Sequence, residues 1–229
     1  MHPGRRFPSP PDPVRGVFVT GTGTEVGKSV VAAVIASTLA GTGARVGVFK
    51  PAVTGLDDPG EPDHQLLRRA AGSEQSDAEI APYRYGPPAS PHLAASLAGE
   101  AIDPERLWAA AEAAGEGADS LVCEGVGGLL VPLAAGYTVL DLVADLGLPL
   151  VVAALPGLGT INHTLLTLDA ARSRGLEIAM VVLTPWPDAP SAVEASNRET
   201  IAAHGAVRVE TLPVLDLADT TGWPALSAW

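Results

Sequence analysis

A glycine-rich segment between two apolar runs constrains this chain more than any other feature. It reads Gly21-Thr22-Gly23-Thr24-Glu25-Val26-Gly27-Lys28-Ser29, and it follows Val17-Phe18-Val19 and precedes the Val- and Ala-rich run 30–36. Glycines let the backbone turn tightly so that successive N–H groups point at phosphate oxygens, and a helix that starts near Gly27 adds the positive end of its dipole. This order of strand, loop and helix predicts the phosphate-binding loop of a nucleoside-triphosphate enzyme.

Two side chains of this loop have predicted roles. Lys28 is expected to reach the β- and γ-phosphates, and the Ser29 hydroxyl is expected to bind Mg²⁺. The usual pattern has four residues between its first glycine and its Gly-Lys pair, whereas five residues separate Gly21 from Gly27, so this loop is one residue longer. A dinucleotide-binding fingerprint does not fit, because Val26 stands where that pattern needs Gly or Ala.

Composition narrows the function classes. The length of 229 residues suits one α/β domain, and 47% hydrophobic against 17% charged residues indicates central strands buried on both faces. The net charge of −12 argues against a nucleic-acid partner, which needs clustered Lys and Arg. Cys123 is the single cysteine, so an internal disulfide is excluded and the cytoplasm is the expected location. No stretch approaches the roughly 18 apolar residues that span a membrane.

The organisation along the chain predicts a three-layer, doubly wound and mostly parallel sheet with helices on both faces. We expect a disordered Pro-rich tail over residues 1–15 and a single domain over 16–229. The apolar runs predicted as strands are Val17–Thr20, Val46–Lys50, Ser120–Glu124, Leu150–Ala154, Ala179–Thr184 and Val207–Leu212. The patterns predicted as helices are Ser29–Leu39, Asp63–Ala71, Pro104–Ala114, Val139–Leu146, Asn162–Ser173 and Ala192–Ala203.

Polar residues fall at the carboxyl ends of these strands, where ligands of such sheets bind. Lys50 closes the second strand, so its ammonium is expected to enter a solvated crevice shared with Lys28. Glu124 closes the third strand and is followed by three glycines within four positions. Its carboxylate could complete a Mg²⁺ shell with Ser29, because Mg²⁺ takes few oxygen ligands from protein and keeps several waters.

Two further segments each have more than one possible role. Asp63 is a candidate Mg²⁺ ligand, although Asp57, Asp58 and Glu61 in the same loop could serve instead or be solvated. The segment 157–163 leads from the fourth strand into a helix, whose first N–H groups could bind an anion or be capped by Thr160 or Asn162.

Together these motifs resemble those of the dethiobiotin synthetase family, whose fold is similar to that of P-loop nucleoside triphosphatases. The order and spacing agree over residues 16–185, and the longer phosphate loop is the family's own form. The matching motifs are Val19–Ser29, Lys50-Pro51, Thr54-Gly55, Ser90-Pro91-His92, Glu124–Gly128 and Gly159–His163.

The resemblance implies an ATP-dependent ligase of biotin biosynthesis. Members close a cyclic urea from 7,8-diaminopelargonate and CO₂: a carbamate forms on one amine, ATP phosphorylates it, and the second amine attacks the mixed anhydride. Lys28 and Lys50 would then be catalytic, neutralising the carbamate and the transferring phosphoryl group. The family is a homodimer in which a helix end of one subunit binds the substrate carboxylate in the other's site.

The resemblance also assigns binding residues. Mg²⁺ would be held by Ser29, Asp63 and Glu124. The residues implied at the nucleotide are Glu25, Val26, Gly27, Lys28, Ser29, Val30, Glu124, Gly125, Val126, Gly127, Leu212 and Pro213. Those implied at the diamine substrate are Thr24, Thr54, Gly159, Thr160, Ile161 and Asn162.

The chain departs from the family pattern after the fifth predicted strand. Many members have Asn-Asp there, and the Asn amide can pair with the adenine edge, but this chain has Thr184-Pro185-Trp186-Pro187. The base of the nucleoside triphosphate is therefore left open.

Two related classes are alternatives. A nucleotide-switched ATPase of the partitioning or division-site type carries a second lysine five positions before the phosphate lysine, where this chain has Gly23. A cobyrinate-type amidase needs a glutaminase domain with a Cys nucleophile, for which the chain is too short.

Overall fold

The structure of the protein is a computed structural model that describes residues 15–228. The tail predicted over residues 1–15 lies outside the described residues, apart from Arg15. The strands are β1 (Gly16–Gly21), β2 (Val46–Phe49), β3 (Ala52–Val53), β4 (Tyr83–Arg84), β5 (Ser120–Gly128), β6 (Pro132–Ala134), β7 (Tyr137–Thr138), β8 (Leu150–Ala154), β9 (Ile178–Leu183) and β10 (Val209–Thr211). The helices are α1 (Lys28–Gly41), α2 (Asp63–Ala71), α3 (Asp77–Ile80), α4 (Pro91–Leu97), α5 (Pro104–Gly115), α6 (Val139–Leu146), α7 (Thr160–Ser173) and α8 (Ala192–Gly205).

A central parallel sheet organises the fold. Its strand order is β10-β9-β8-β1-β5-β2, and every neighbouring pair is parallel. Strands β5 and β2 lie on one side of β1 in the sheet, and β8, β9 and β10 lie on its other side. Strand order therefore reverses around β1, and the loop after β1 lies where such sheets bind ligands.

Alternate residues of each central strand bury into opposite faces. Phe18 packs in a core with Leu107 of α5 and Leu168 of α7, whereas its neighbours Val17 and Val19 pack in a second core with α1 and α2. Because both faces are covered, the strands are continuous apolar runs, as the composition indicated. Cys123 is completely buried in the first core.

The six predicted strands and six predicted helices are all present, so the predicted fold class is confirmed. Leu150–Ala154, Asp63–Ala71 and Val139–Leu146 have the predicted bounds. The short elements α3, α4, β3, β4, β6 and β7 were not predicted, because they have two to seven residues each and cannot show a hydrophobic period. No helix within residues 15–228 is long and apolar enough to cross a membrane.

Candidate active site

The loop between β1 and α1 has the backbone that anion binding requires. Gly27 is the N-cap of α1 and adopts the left-handed conformation, with φ of 87°. A Cβ atom at Gly27 would also collide with the Thr184 Cγ2 methyl. A glycine has no side-chain oxygen with which to cap the helix, so the first N–H groups of α1 can serve an anionic ligand.

Lys28 folds back over this loop. Its Nζ donates a hydrogen bond to the Gly23 carbonyl at 2.8 Å, and the residue is only 8% exposed. Burial lowers the pKa of Lys28 and the nearby Lys50 lowers it further, whereas Glu124 opposes both effects. The phosphate-loop lysine therefore lines the crevice as predicted, but it is buried rather than solvated.

Lys50 lies at the centre of a polar cluster beneath the loop. Its Nζ is 2.6 Å from Glu124 Oε1 and 3.0 Å from Asp63 Oδ2, and it lies 3.4 Å from the Gly125 carbonyl. Ser29 Oγ donates to the same Glu124 Oε1 at 2.8 Å. The expectation of a solvated Lys50 is wrong, because its two carboxylate partners hold it inside the protein, where it is 3% exposed.

The charge states follow from this geometry. Burial alone would lower the pKa of Lys50, but Glu124 and Asp63 outweigh burial and raise it. Lys50 in turn lowers the pKa of Asp63, which is more exposed. The pKa shifts of Lys50 and Asp63 therefore both favour the charged forms of these two side chains.

The same residues fit a magnesium ion. Glu124 Oε2 is buried and has no hydrogen-bond partner among residues 15–228, and burial raises the pKa of this carboxyl, so a cation would stabilise its charged form. No group of three or more His, Cys, Asp or Glu side chains in the described part of the chain could form a metal centre by itself. Mg²⁺ needs no such group, because it keeps waters and shares phosphate oxygens with one or two carboxylates.

The crevice at this site has a volume of about 940 Å³ and collects most of the predicted residues. The predicted residues that line it are Thr24, Glu25, Gly27, Lys28, Ser29, Val30, Lys50, Thr54, Asp63, Val126 and Gly127. Of the alternatives to Asp63, Asp58 and Glu61 line it as well, whereas Asp57 does not. Asp63 alone of these four carboxylates forms an ion pair with Lys50 in the structure.

Several predicted nucleotide residues do not line the crevice. Val26 and Leu212 pack in the core with α1, and Pro213 is exposed. Glu124 and Gly125 are buried below the crevice floor, where they contact Lys50.

Other residues that line the crevice were not predicted from the sequence. Val131 and Leu217 line it, but neither belongs to a motif of the resemblance. Ser90 and Pro91 also line it; the resemblance contained them as a motif but assigned them no role.

The predicted carboxylate-binding segment lies outside the crevice of its own chain. Gly159 is the N-cap of α7, with φ of 91°, and it has no side chain with which to cap. Thr160 Oγ1 lies 3.4 Å from Thr164 Oγ1, and Asn162 is exposed. The alternative that Thr160 or Asn162 caps the helix is therefore not supported by the structure. The segment 159–162 is not among the residues that line the crevice.

The chain is similar to known proteins over most of its length. Residues 15–219 match the family model described as an AAA domain. The chain is 45% identical to the ATP-dependent dethiobiotin synthetase BioD of Anaeromyxobacter dehalogenans, over 74% of this chain and 76% of the relative. It is 36% identical to the BioD of Bacillus subtilis (82% of each chain) and 39% identical to that of Rhodococcus erythropolis (87% and 86%).

A solved structure supports the fold. The cell division protein FtsY from Thermotoga maritima superposes with a TM-score of 0.50, over 96% of this chain and 67% of that protein. The sequence identity is 11%, so this likeness concerns the fold alone.

Proposed function

The chain belongs to the dethiobiotin synthetase family of ATP-dependent ligases, and we propose that it makes dethiobiotin from 7,8-diaminopelargonate, CO₂ and a nucleoside triphosphate. One observation supports this more than any other. The Lys50 ammonium lies on the floor of the phosphate-loop crevice, bonded to Glu124 and Asp63, where a negatively charged reaction intermediate would need it.

The proposed reaction has three steps. One substrate amine adds to CO₂, a C–N bond forms, and the amine loses a proton to give a carbamate. A carbamate oxygen attacks the γ-phosphorus, giving a carbamic-phosphoric anhydride and a nucleoside diphosphate. The second amine attacks the carbonyl carbon and loses a proton, the bond between that carbon and the phosphate oxygen breaks, and phosphate leaves as the cyclic urea closes.

The residues of the crevice suit these steps. Lys50 would neutralise the carbamate, and Lys28, already at the loop, would neutralise charge on the transferring phosphoryl group. Ser29, Asp63 and Glu124 would hold Mg²⁺, which neutralises phosphate charge when bound. Thr24 and Thr54 line the same crevice and would contact the diamine.

We further propose that two copies of the chain share each active site. The N-terminus of α7, over Gly159–Asn162, is suited to the substrate carboxylate but does not line the crevice of its own chain. The same part of the chain carries exposed leucines, of which Leu158 is 97% exposed and Leu155 and Leu166 are also exposed. A second copy would cover these side chains and receive the helix end in its crevice.

Selectivity for adenine is expected to be weak. Thr184 follows β9, and its methyl faces the position that a Cβ atom of Gly27 would occupy. A threonine at this position supplies no amide to pair with the adenine edge. CTP and GTP are therefore expected to serve alongside ATP.

The test is release of phosphate in the presence of Mg²⁺ and bicarbonate, with and without diaminopelargonate, alongside detection of dethiobiotin. Release that depends on the diamine and matches dethiobiotin one to one is the expected result, and it should disappear when Mg²⁺ is chelated. Hydrolysis that proceeds equally well without the diamine would contradict the proposal and favour a nucleotide-switched ATPase. Repeating the assay with CTP and GTP measures base selectivity separately.

A further inference from the structure

A buried asparagine of α8 holds the loop that leads into α7. Asn197 is 6% exposed, and its Nδ2 donates to the Pro156 carbonyl at 2.8 Å and to the Gly157 carbonyl at 2.9 Å. Both protons of one amide thus bond two consecutive carbonyls, about 40 residues earlier in the chain. This geometry fixes the direction of both peptide groups relative to α8.

The loop's own hydrogen bonds are longer. Thr160 N donates to the Gly157 carbonyl at 3.3 Å, and His163 N donates to the Gly159 carbonyl at the same distance. The helix starts at a left-handed glycine without a side-chain cap. The shorter bonds from Asn197 are therefore suited to keep the first N–H groups of α7 in one direction.

We propose that Asn197 is a positioning residue for the carboxylate end of the diamine substrate. This inference rests on the proposed function and on the role of Gly159–Asn162 in it. Asn197 would not touch the substrate; it would hold the loop so that the helix end is already ordered when an anion binds. A loop that must first be ordered binds its ligand more weakly, because ordering reduces the net free energy of binding.

Two readouts test the proposal, hydrogen–deuterium exchange of the segment 155–163 and steady-state kinetics. The variants are Asn197→Ala, which removes the amide, and Asn197→Asp, which keeps the size but cannot donate these bonds. Ser196→Ala, at an exposed neighbouring position on α8, is the control and should match the unmodified protein.

The expected result is faster exchange confined to the segment 155–163 and a KM for the diamine raised roughly 10- to 100-fold, the loss expected for two hydrogen bonds. The KM for the nucleotide should change less than twofold. Unchanged exchange in both Asn197→Ala and Asn197→Asp would overturn the positioning role. A uniform loss, with the KM of both substrates and kcat affected alike, would reduce Asn197 to a structural residue.

Failure of the proposed function can be distinguished from failure of the positioning role of Asn197. If the unmodified protein makes no dethiobiotin, the substrate part of the inference falls with the proposed function, whereas exchange still decides whether Asn197 holds the loop. If dethiobiotin forms and exchange rises but the KM for the diamine does not, the loop is held by Asn197 and the carboxylate role is wrong.

Discussion

Replacement of Lys50 by methionine tests whether the cluster beneath the phosphate loop is a true buried ion pair. Methionine keeps much of the side-chain volume but removes the ammonium, which lies 2.6 Å from Glu124 Oε1. Glu124 is completely buried and would keep only the Ser29 hydroxyl as a partner. Removal of one member of a buried pair typically destabilises a protein by about 3 to 5 kcal/mol, because the remaining charge is uncompensated.

The expected loss in the free energy of unfolding lies at the lower end of that range because of Asp63. Its side chain is 48% exposed, so water can solvate it after Lys50 is lost. We therefore expect Lys50→Met to lower the free energy of unfolding by about 3 kcal/mol, which corresponds to a melting temperature roughly 6 to 12 °C lower for a domain of this size. The loss should be larger at pH 8 than at pH 5. Burial already raises the pKa of Glu124 and Lys50 opposes that rise, so removal of Lys50 raises the pKa further, and a carboxyl with a raised folded-state pKa loses stability as the pH rises.

Thermal unfolding followed by circular dichroism, without nucleotide, measures this effect in four proteins. Lys28→Met is the matched control, since the Lys28 ammonium bonds a neutral carbonyl and its removal strands no buried carboxylate. The double variant Lys50→Met/Glu124→Gln should regain most of the stability, because glutamine leaves no charge unpaired. Equal melting temperatures for Lys50→Met and Lys28→Met, or no recovery in the double variant, would refute the reasoning.

Three further predictions concern the loop, the exposed carboxylate and the helix end. Gly27→Ala should weaken nucleotide binding at least tenfold in a fluorescence titration. Adding Thr184→Ser to this variant should restore only part of the affinity, because serine removes the colliding methyl but residue 27 keeps its unfavourable φ of 87°. Lys50 lowers the pKa of Asp63, so urea unfolding should show the unmodified protein to be more stable than Asp63→Asn at neutral pH. This difference in the free energy of unfolding should shrink as the pH falls below about 3.8 and vanish below the pKa of Asp63 in the folded protein. A difference that does not change with pH would contradict the ion pair. Asn162→Ala should raise the KM for the diamine about tenfold with little change in kcat, and an unchanged KM would remove Asn162 from the substrate site.

The regular part of the fold was predictable because buried parallel strands are continuous apolar runs and because some helices between them, such as α2 and α6, have a clear apolar face. Leu150–Ala154 shows this, since both of its ends agree with the prediction. The end of β5 was predicted at Glu124, but the strand continues to Gly128, which pairs with Gly21 at the start of the phosphate loop. That extension depends on pairing with a distant strand, which no local pattern contains.

The site was predictable to the extent that strand ends position it. Parallel strands bring Lys28, Lys50 and Glu124 to one edge of the sheet, and the sequence already placed Lys50 and Glu124 at strand ends and Lys28 in the loop after the first strand. The burial of Lys50 was not predictable, because a lysine at a strand end is usually solvated and only the tertiary pairing with Glu124 and Asp63 reverses this. Leu217 enters the crevice from near the end of the chain, where no period or motif marked it.

The cluster around Lys50 is better explained by chemistry than by stability. An apolar pair of similar volume would hold β2 and β5 together at least as well, because burying two charges costs about as much as their attraction returns. Glu124 Oε2 has no hydrogen-bond partner among the described residues, which a site selected for stability alone would avoid. In the proposed reaction, an ammonium that is already desolvated and held by Glu124 and Asp63 would stabilise developing negative charge without waiting for solvent to reorganise. We infer that the buried pair is maintained as a preorganised electrostatic site.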